Sequence, residues 1–175
     1  MKQIAVVTGA GRGVGRITAI TLAKQGWVVV VAGRDKVAID AVAKEAGGES
    51  VGIVCDVSDP ESVKSLFAQV KSSFGRVDLL FNNAGVVIPG VPLEDVKVED
   101  WQKVVDVNIS GVFYCTQQAF ALMKTQTPMG GRIINNGSIS AQIPRPNSSA
   151  YTASKHAVTG LTKTASLDGR AFDIA

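Results

Sequence analysis

Cysteine and histidine are scarce in this chain: Cys55, Cys115 and a single histidine, His156, stand among 175 residues. The two cysteines fall at the end of one apolar run and inside another, with no C-x-x-C spacing. They are expected to be buried free thiols, and neither a disulfide framework nor a zinc site is expected. Long hydrophobic runs are also lacking. The longest, Trp27 to Ala32, is far too short to span a bilayer, and the apolar stretch after Met1-Lys2-Gln3 is too brief for a secretory leader. No membrane partner is expected, and the cytoplasm is the expected location. Charge of one sign is missing as well. With 18 basic against 15 acidic residues the net charge is +3, and no Lys or Arg stripe forms, so a nucleic-acid partner is not expected. A small phosphorylated ligand needs no larger charge.

Glycine, by contrast, is plentiful at 18 residues, and Gly9, Gly11, Gly13 and Gly15 occupy every second position of one stretch, Ile4-Ala-Val-Val-Thr-Gly-Ala-Gly-Arg-Gly-Val-Gly15. An apolar run meets a glycine turn and then a helical pattern: a strand, a phosphate loop and a helix start. Glycines let the backbone turn sharply and approach a ligand, and free N–H groups at a helix N-terminus attract anions, so a nucleotide pyrophosphate suits the site. The spacing reads Thr8-Gly9-x-x-x-Gly13-x-Gly15, which differs from G-x-G-x-x-G because Val14 and Arg16 follow Gly13 and Gly15.

The apolar period then switches repeatedly. Strands are predicted over Gln3 to Val7, Trp27 to Ala32, Ser50 to Cys55, Val77 to Phe81 and Arg132 to Asn136. Helices are predicted from Val14 to Gln25, from an Asp35 cap to Ala46, from Asp59-Pro60 to about Ser73, from about Val98 to Lys124, and from about Tyr151 to a stop before Gly169. The valine run at 28–31 is what a strand covered on both faces looks like. This alternation predicts a doubly wound α/β fold with a central parallel sheet and helices on both faces, in one domain covering 1–175. Ligands of such sheets bind beyond the carboxyl ends of the strands, and there the distinctive residues lie: the glycine turn, Arg34, Asp56, Asn82 to Gly85, and Ser138.

A second stretch carries chemistry. Tyr151 and Lys155 in Tyr151-Thr-Ala-Ser-Lys155 are four apart and share a helix face. A free phenol holds its proton at neutrality, but an ammonium a few ångström away favours phenolate and makes the group usable as an acid or base. Ser138, at the end of the fifth strand, could hydrogen-bond the same substrate oxygen. His156 lies about 100° off that face and is expected to be a packing or interface residue.

Taken together, Thr8-Gly9-x-x-x-Gly13-x-Gly15, Cys55-Asp56-Val57, Asn82-Asn83-Ala84-Gly85, Asn108 in Val107-Asn-Ile-Ser-Gly111, Ser138 and Tyr151-Thr-Ala-Ser-Lys155 stand in the order and spacing of the short-chain dehydrogenase/reductase family. The chain resembles that family, and its 3-oxoacyl-ACP-reductase-like members, along its whole length. The resemblance implies a Rossmann fold and an NAD(P)-dependent oxidoreductase acting on a small carbonyl or alcohol. It implies that Tyr151 exchanges a proton with the substrate oxygen, that Ser138 positions that oxygen, and that Lys155 assists Tyr151 and binds the nicotinamide ribose. Asn108 would hold a water in a proton relay. Cofactor contacts are implied for Gly9, Gly11, Arg12, Gly13, Val14, Gly15, Arg34, Asp56, Val57, Asn83, Ala84, Gly85, Tyr151 and Lys155.

Cofactor choice follows from charge. Gly33 stands where an NAD site usually has an acid, and Arg12 and Arg34 could converge on a 2′-phosphate, so NADP(H) is expected, with NAD(H) possible. Asp35 is assigned to helix capping. The apolar helices near 98–124 and after 151 suggest a homodimer or homotetramer, since the family packs the equivalent helices across a two-fold axis. After Gly169 the segment Arg170 to Ala175 reads as the beginning of a further strand, where the family implies two more strands and a substrate loop. Those carboxyl-terminal strands are expected to be missing, which leaves a second class open: a nucleotide-binding scaffold, sensor or inactive fragment without turnover.

Overall fold

Valine-rich strands and amphipathic helices succeed one another: β1 (Ile4–Thr8), α1 (Gly13–Lys24), β2 (Val28–Gly33), α2 (Lys36–Ala46), β3 (Val51–Val54), α3 (Pro60–Phe74) and β4 (Leu79–Asn82). They are followed by α4 (Val98–Val105), α5 (Gly111–Thr125), β5 (Arg132–Asn135) and α6 (Ser149–Gly169). The structure, a computed structural model, describes residues 2–175. All five strands are parallel, in the order β3-β2-β1-β4-β5. The chain starts in the middle of the sheet, winds out to β3 and returns to β4 on the other side of β1. Strand order therefore reverses between β1 and β4, which opens a crevice at their carboxyl ends.

The period of two along each strand feeds two cores. Ile4, Val6, Val28 and Val30 pack with Leu66 and Val70 of α3 and Cys115 and Met123 of α5. Their neighbours Ala5, Val7, Val29 and Val31 face the opposite side, against Ala19 of α1 and Ile39 and Val42 of α2. A strand buried on both faces must be apolar at every position, and this is why the valine run is continuous. Local signals set the helix ends. Asp35 accepts a hydrogen bond from Ala38 N at 3.1 Å and Asp59 one from Glu61 N at 3.0 Å, with Pro60 following. Gly75 closes α3 in the left-handed region at φ +73°.

Two segments differ from the sequence expectation. The helix expected from 98 to 124 is broken by a π turn at Asp106–Ser110, whose inserted residue turns Asn108 inward. Hydrophobic periodicity does not register one extra residue. The segment Arg170 to Ala175 opens with a 3-10 turn, Arg170–Phe172, and only its last residues run beside β5. They take the edge groups that β5 leaves free: Gly131 N donates to Asp173 O at 3.1 Å and Ile133 N to Ala175 O at 2.7 Å. Beyond them β5 is a sheet edge with Ile134 half exposed.

Below the sheet, the amino end of β4 is tied down by polar side chains. Arg76 and Asp78 form a forked ion pair, with Nε 3.0 Å from both carboxylate oxygens, and Asp78 Oδ2 accepts from Ile4 N at 2.8 Å. The hydrogen bonds that Arg76 donates to Asp78 raise the Arg76 pKa above its ordinary value against the opposing cost of burial. Gln126 is buried and bonds the backbone on three sides: it accepts from Val77 N at 2.9 Å and donates to Val77 O at 3.0 Å and Gly130 O at 2.8 Å.

At the other end of β1 the glycine turn divides its labour. A Cβ on Gly9 would stand 2.8 Å from Ala84 Cα, and one on Gly15 would stand 2.5 Å from Asn83 Nδ2 and 2.6 Å from Gly9 O. These two are glycines because β1, α1 and the chain after β4 pack together. Gly13 has φ +57° and open space where its Cβ would be, so conformation and access set its identity.

Gln126→Ala should strand three buried backbone groups and lower the urea unfolding free energy by about 3 kcal/mol or more. Gly13→Ala should cost about 1–2 kcal/mol, the ordinary left-handed penalty. Gly15→Ala, which must displace backbone as well as a side chain, should cost more than Gly13→Ala in the same titration.

Candidate active site

The crevice at the strand ends is a cleft of about 480 Å³. Nine of the residues predicted for cofactor binding line it: Gly9, Gly11, Arg12, Arg34, Asp56, Val57, Asn83, Ala84 and Gly85. They come from four separate strand ends, which the parallel topology brings together. Gly13, Val14 and Gly15 form the first turn of α1 beside them. That helix has no side-chain cap and no acid in its first turn, and its first internal bond runs from Arg16 N to Arg12 O at 3.2 Å. The earlier amides and the positive helix end are left for an anion, so the cleft fits a phosphorylated nucleotide. Ile39, Cys55 and Val107 also line the cleft. Sequence reasoning missed them as a ligand wall because apolar residues in strands and helices read as core.

The charges around this cleft are unevenly committed. The Asp35 carboxylate caps α2 through Ala38 N, as expected. Gly33 ends β2 without a side chain, and a Cβ there would stand 3.0 Å from Ile39. Arg34 lies 3.9 Å from the Asp56 carboxylate and is largely exposed. Among the described residues, the Arg12 guanidinium makes no hydrogen bond or ion pair. Burial pushes the Asp56 pKa up, but the Ser58 hydroxyl at 2.7 Å, the Ser58 amide at 3.0 Å and the Arg34 charge outweigh it. The carboxyl ends below its ordinary value.

A second group of predicted residues gathers beside the carboxyl ends of β4 and β5. Ser138 is extended, and its Oγ accepts from Ser140 N at 3.1 Å. Tyr151 lies half-buried in the first turn of α6, with Lys155 one turn later. Lys155 Nζ donates to Asn136 O at 2.6 Å and stands 5.5 Å from the centre of the Tyr151 ring. Burial lowers the Lys155 pKa from its ordinary value. Asn108 is buried in the π turn: its Oδ1 accepts from Val86 N at 2.8 Å, and its Nδ2 donates to Val86 O at 2.9 Å. A cavity of about 240 Å³ lies against Tyr151, with Val87, Ile88, Val91 and Val96 on one wall and Arg145 and Ser149 on the other.

Asn136, which sequence reasoning passed over, joins the two groups. Its carbonyl takes Lys155, and its Nδ2 donates to Asn83 Oδ1 at 3.1 Å. Asn83 in turn donates to Thr8 O at 3.0 Å and Gly9 O at 3.3 Å. Asn82 performs a parallel task inside the sheet, donating to Thr116 Oγ1 at 3.1 Å and Asn135 Oδ1 at 2.9 Å. His156 is exposed, with Nδ1 2.9 Å from Thr152 O. Cys55 and Cys115 are free and buried, and burial pushes the Cys55 thiol up to about 11 and Cys115 up as well. Among the described residues no cluster of His, Cys, Asp or Glu could hold a metal, and no helix is long and apolar enough to cross a membrane.

A 3beta-hydroxysteroid dehydrogenase of Mediterraneibacter gnavus is 41% identical over 95% of this chain and 60% of its own length. A 3-oxoacyl-[acyl-carrier-protein] reductase of Synechocystis is 41% identical over 93% of this chain and 66% of its own. The chain thus spans about 60–66% of the length of these relatives. A metagenomic short-chain oxidoreductase solved in complex with NADP superimposes with a TM-score of 0.93 at 34% identity, over 98% of this chain and 78% of the other. The 3-ketoacyl-(acyl-carrier-protein) reductase from Brucella melitensis, complexed with NADH, gives 0.94 at 33% identity, over 98% and 71%. The short chain dehydrogenase profile matches residues 3–175, and the chain belongs to that family.

Proposed function

We propose that this chain carries the cofactor site and the proton-transfer group of an NADP(H)-dependent oxidoreductase that interconverts a carbonyl and a secondary alcohol. The observation that carries this reading is Lys155, a half-buried cation beside the Tyr151 ring, held by the carbonyl of Asn136, whose side chain bonds Asn83 on the wall of the cleft. The nicotinamide, when bound, supplies or accepts the hydride at C4. Tyr151 gives its phenolic proton to the substrate oxygen in reduction and takes it back in oxidation. Lys155, whose ammonium stands beside the ring, is assigned to assisting that exchange. Lys155 also reaches the nicotinamide ribose, and the Ser138 hydroxyl hydrogen-bonds the substrate oxygen. Because the Asn108 side chain is committed to its protein partners, a relay water at this residue falls to its backbone carbonyl in the π turn.

Two features support NADP(H) over NAD(H). Gly33 removes the acid that would repel a 2′-phosphate, and Arg12, whose guanidinium has no partner among the described residues, lines the same cleft as Arg34. Asp56 and Val57, on the wall of the same cleft, are assigned to the adenine. The apolar wall of the cavity against Tyr151 favours an apolar body on the carbonyl compound. The exposed Phe113 of α5 and Leu167 of α6 support a homodimer or homotetramer. We assign the protein to the cytoplasm on the same reading.

NADPH oxidation with a panel of apolar ketones tests this function. Tyr151→Phe should lower the rate by about 10²-fold or more while leaving NADPH binding nearly intact, since the phenol is assigned to the substrate. Lys155→Met should weaken cofactor binding too, since its ammonium is also assigned to the ribose. Near-normal turnover by Tyr151→Phe would overturn the mechanism. Replacing Arg12 and Arg34 together by Gln should weaken NADPH binding by about tenfold or more, with little effect on NADH. Equal losses for the two cofactors would refute the assignment of the arginines.

A further inference from the structure

Between Tyr151 and Lys155 lies Ser154, a fully buried hydroxyl to which the proposed reaction gives no role. Its Oγ donates to Tyr151 O at 2.7 Å, the carbonyl three residues back. That bond uses the hydroxyl proton and leaves the lone pairs of the oxygen to accept. One of them faces Asn108 Nδ2 at 3.3 Å. The Asn108 amide cannot be flipped without breaking both of its Val86 bonds, because Oδ1 accepts from Val86 N while Nδ2 donates to Val86 O. With the amide so oriented, its second N–H points to Ser154. Val86 lines the nucleotide cleft. A continuous hydrogen-bonded path therefore runs from the cleft wall at Val86, through the π turn at Asn108, to Ser154 and the backbone of Tyr151.

The three elements on this path are far apart in sequence: the segment after β4 is irregular, and the π turn is one residue out of phase with the helices it joins. Directional bonds in a buried setting add register to packing, since a lost partner leaves an unsatisfied amide with no water to replace it. We propose that Ser154 is a positioning residue, which sets the first turn of α6, and hence Tyr151, against the nucleotide cleft by accepting from Asn108 while donating to Tyr151 O. The proposal rests on the assignment of Tyr151 as the proton-transfer group. An error of about 1 Å in placing such a group costs on the order of 10²-fold in rate, so a single bridging hydroxyl has kinetic leverage.

The test uses the full chain, with Ser154→Ala, Asn108→Ala and the double variant. NADPH binding by fluorescence and the KM for the ketone should stay within about twofold in Ser154→Ala, while kcat falls about tenfold or more. If Ser154 acts through Asn108, the double variant should be no slower than Asn108→Ala, because both changes cut one path. In the 15N-labelled chain, exchange of the Asn108 side-chain amide protons should speed up at least tenfold in Ser154→Ala. A kcat within about twofold of the parent, losses that multiply in the double variant, or unchanged exchange would each overturn the proposal. A purely structural role would lower the unfolding midpoint without the split between kcat and KM. Absence of turnover in the parent together with faster exchange in Ser154→Ala would sink the catalytic reading and leave the hydrogen-bonded bridge standing. Normal parent turnover with unchanged exchange would do the reverse.

Discussion

Everything in the site depends on how β1 and β4 end side by side. Where parallel strands stop, backbone groups lose their ladder partners, and here the Thr8 hydroxyl and the Asn83 amide replace them. Thr8 Oγ1 accepts from Asn83 N at 3.0 Å and Ala84 N at 3.1 Å, and Asn83 Nδ2 returns the bond to Thr8 O. This stitch fixes the separation of the two strand ends at the point where strand order reverses. It also explains why Gly9 and Gly15 carry no side chain: a Cβ on either would strike the chain that the stitch draws in. The glycine turn is thus shaped by internal packing at Gly9, Gly11 and Gly15, while Gly13 has open space where its Cβ would stand.

From Asn83 the constraint passes through Asn136 to Lys155. A lysine that is half-buried loses hydration, which is why its pKa falls, and it holds its place only because a carbonyl oxygen accepts from it at short range. The same carbonyl belongs to the residue whose side chain grips the β4 end. One asparagine therefore couples the position of the cation to the wall of the cleft at the strand ends. The π turn does comparable work on the other side: an extra residue in the helix turns Asn108 inward, where its amide closes on both backbone groups of Val86.

The amino ends of the strands solve a different problem. There the forked Arg76–Asp78 pair and the Gln126 clamp satisfy backbone groups that have no strand partner. Polar residues at one end of the sheet hold the chain shut, while those at the other end hold a crevice open. The difference lies in what each set faces: backbone on all sides at Gln126, and open space at Gly13.

Much of this was legible in the residues taken alone. Alternating strand and helix periods, the unbroken valines of β2, the Asp35 and Asp59 caps and the Pro60 start are local signals, and local signals survive without knowledge of neighbours. So was the gathering of candidate groups, because a doubly wound sheet places every strand's carboxyl end on one side. Asn136 and Ser154 were not legible as partners, since hydrogen bonds across 53 and 46 positions of chain have no sequence period. The π turn escaped because one inserted residue leaves the apolar pattern of a helix almost unchanged. The turn at Arg170–Phe172, read as a strand start, formed instead where the following residues could meet the free backbone of β5. The sequence by itself determined which elements form and which residues stand at their ends. Tertiary structure decided which polar groups meet, because a buried hydrogen bond is specified by the partner brought to it and not by the neighbours along the chain.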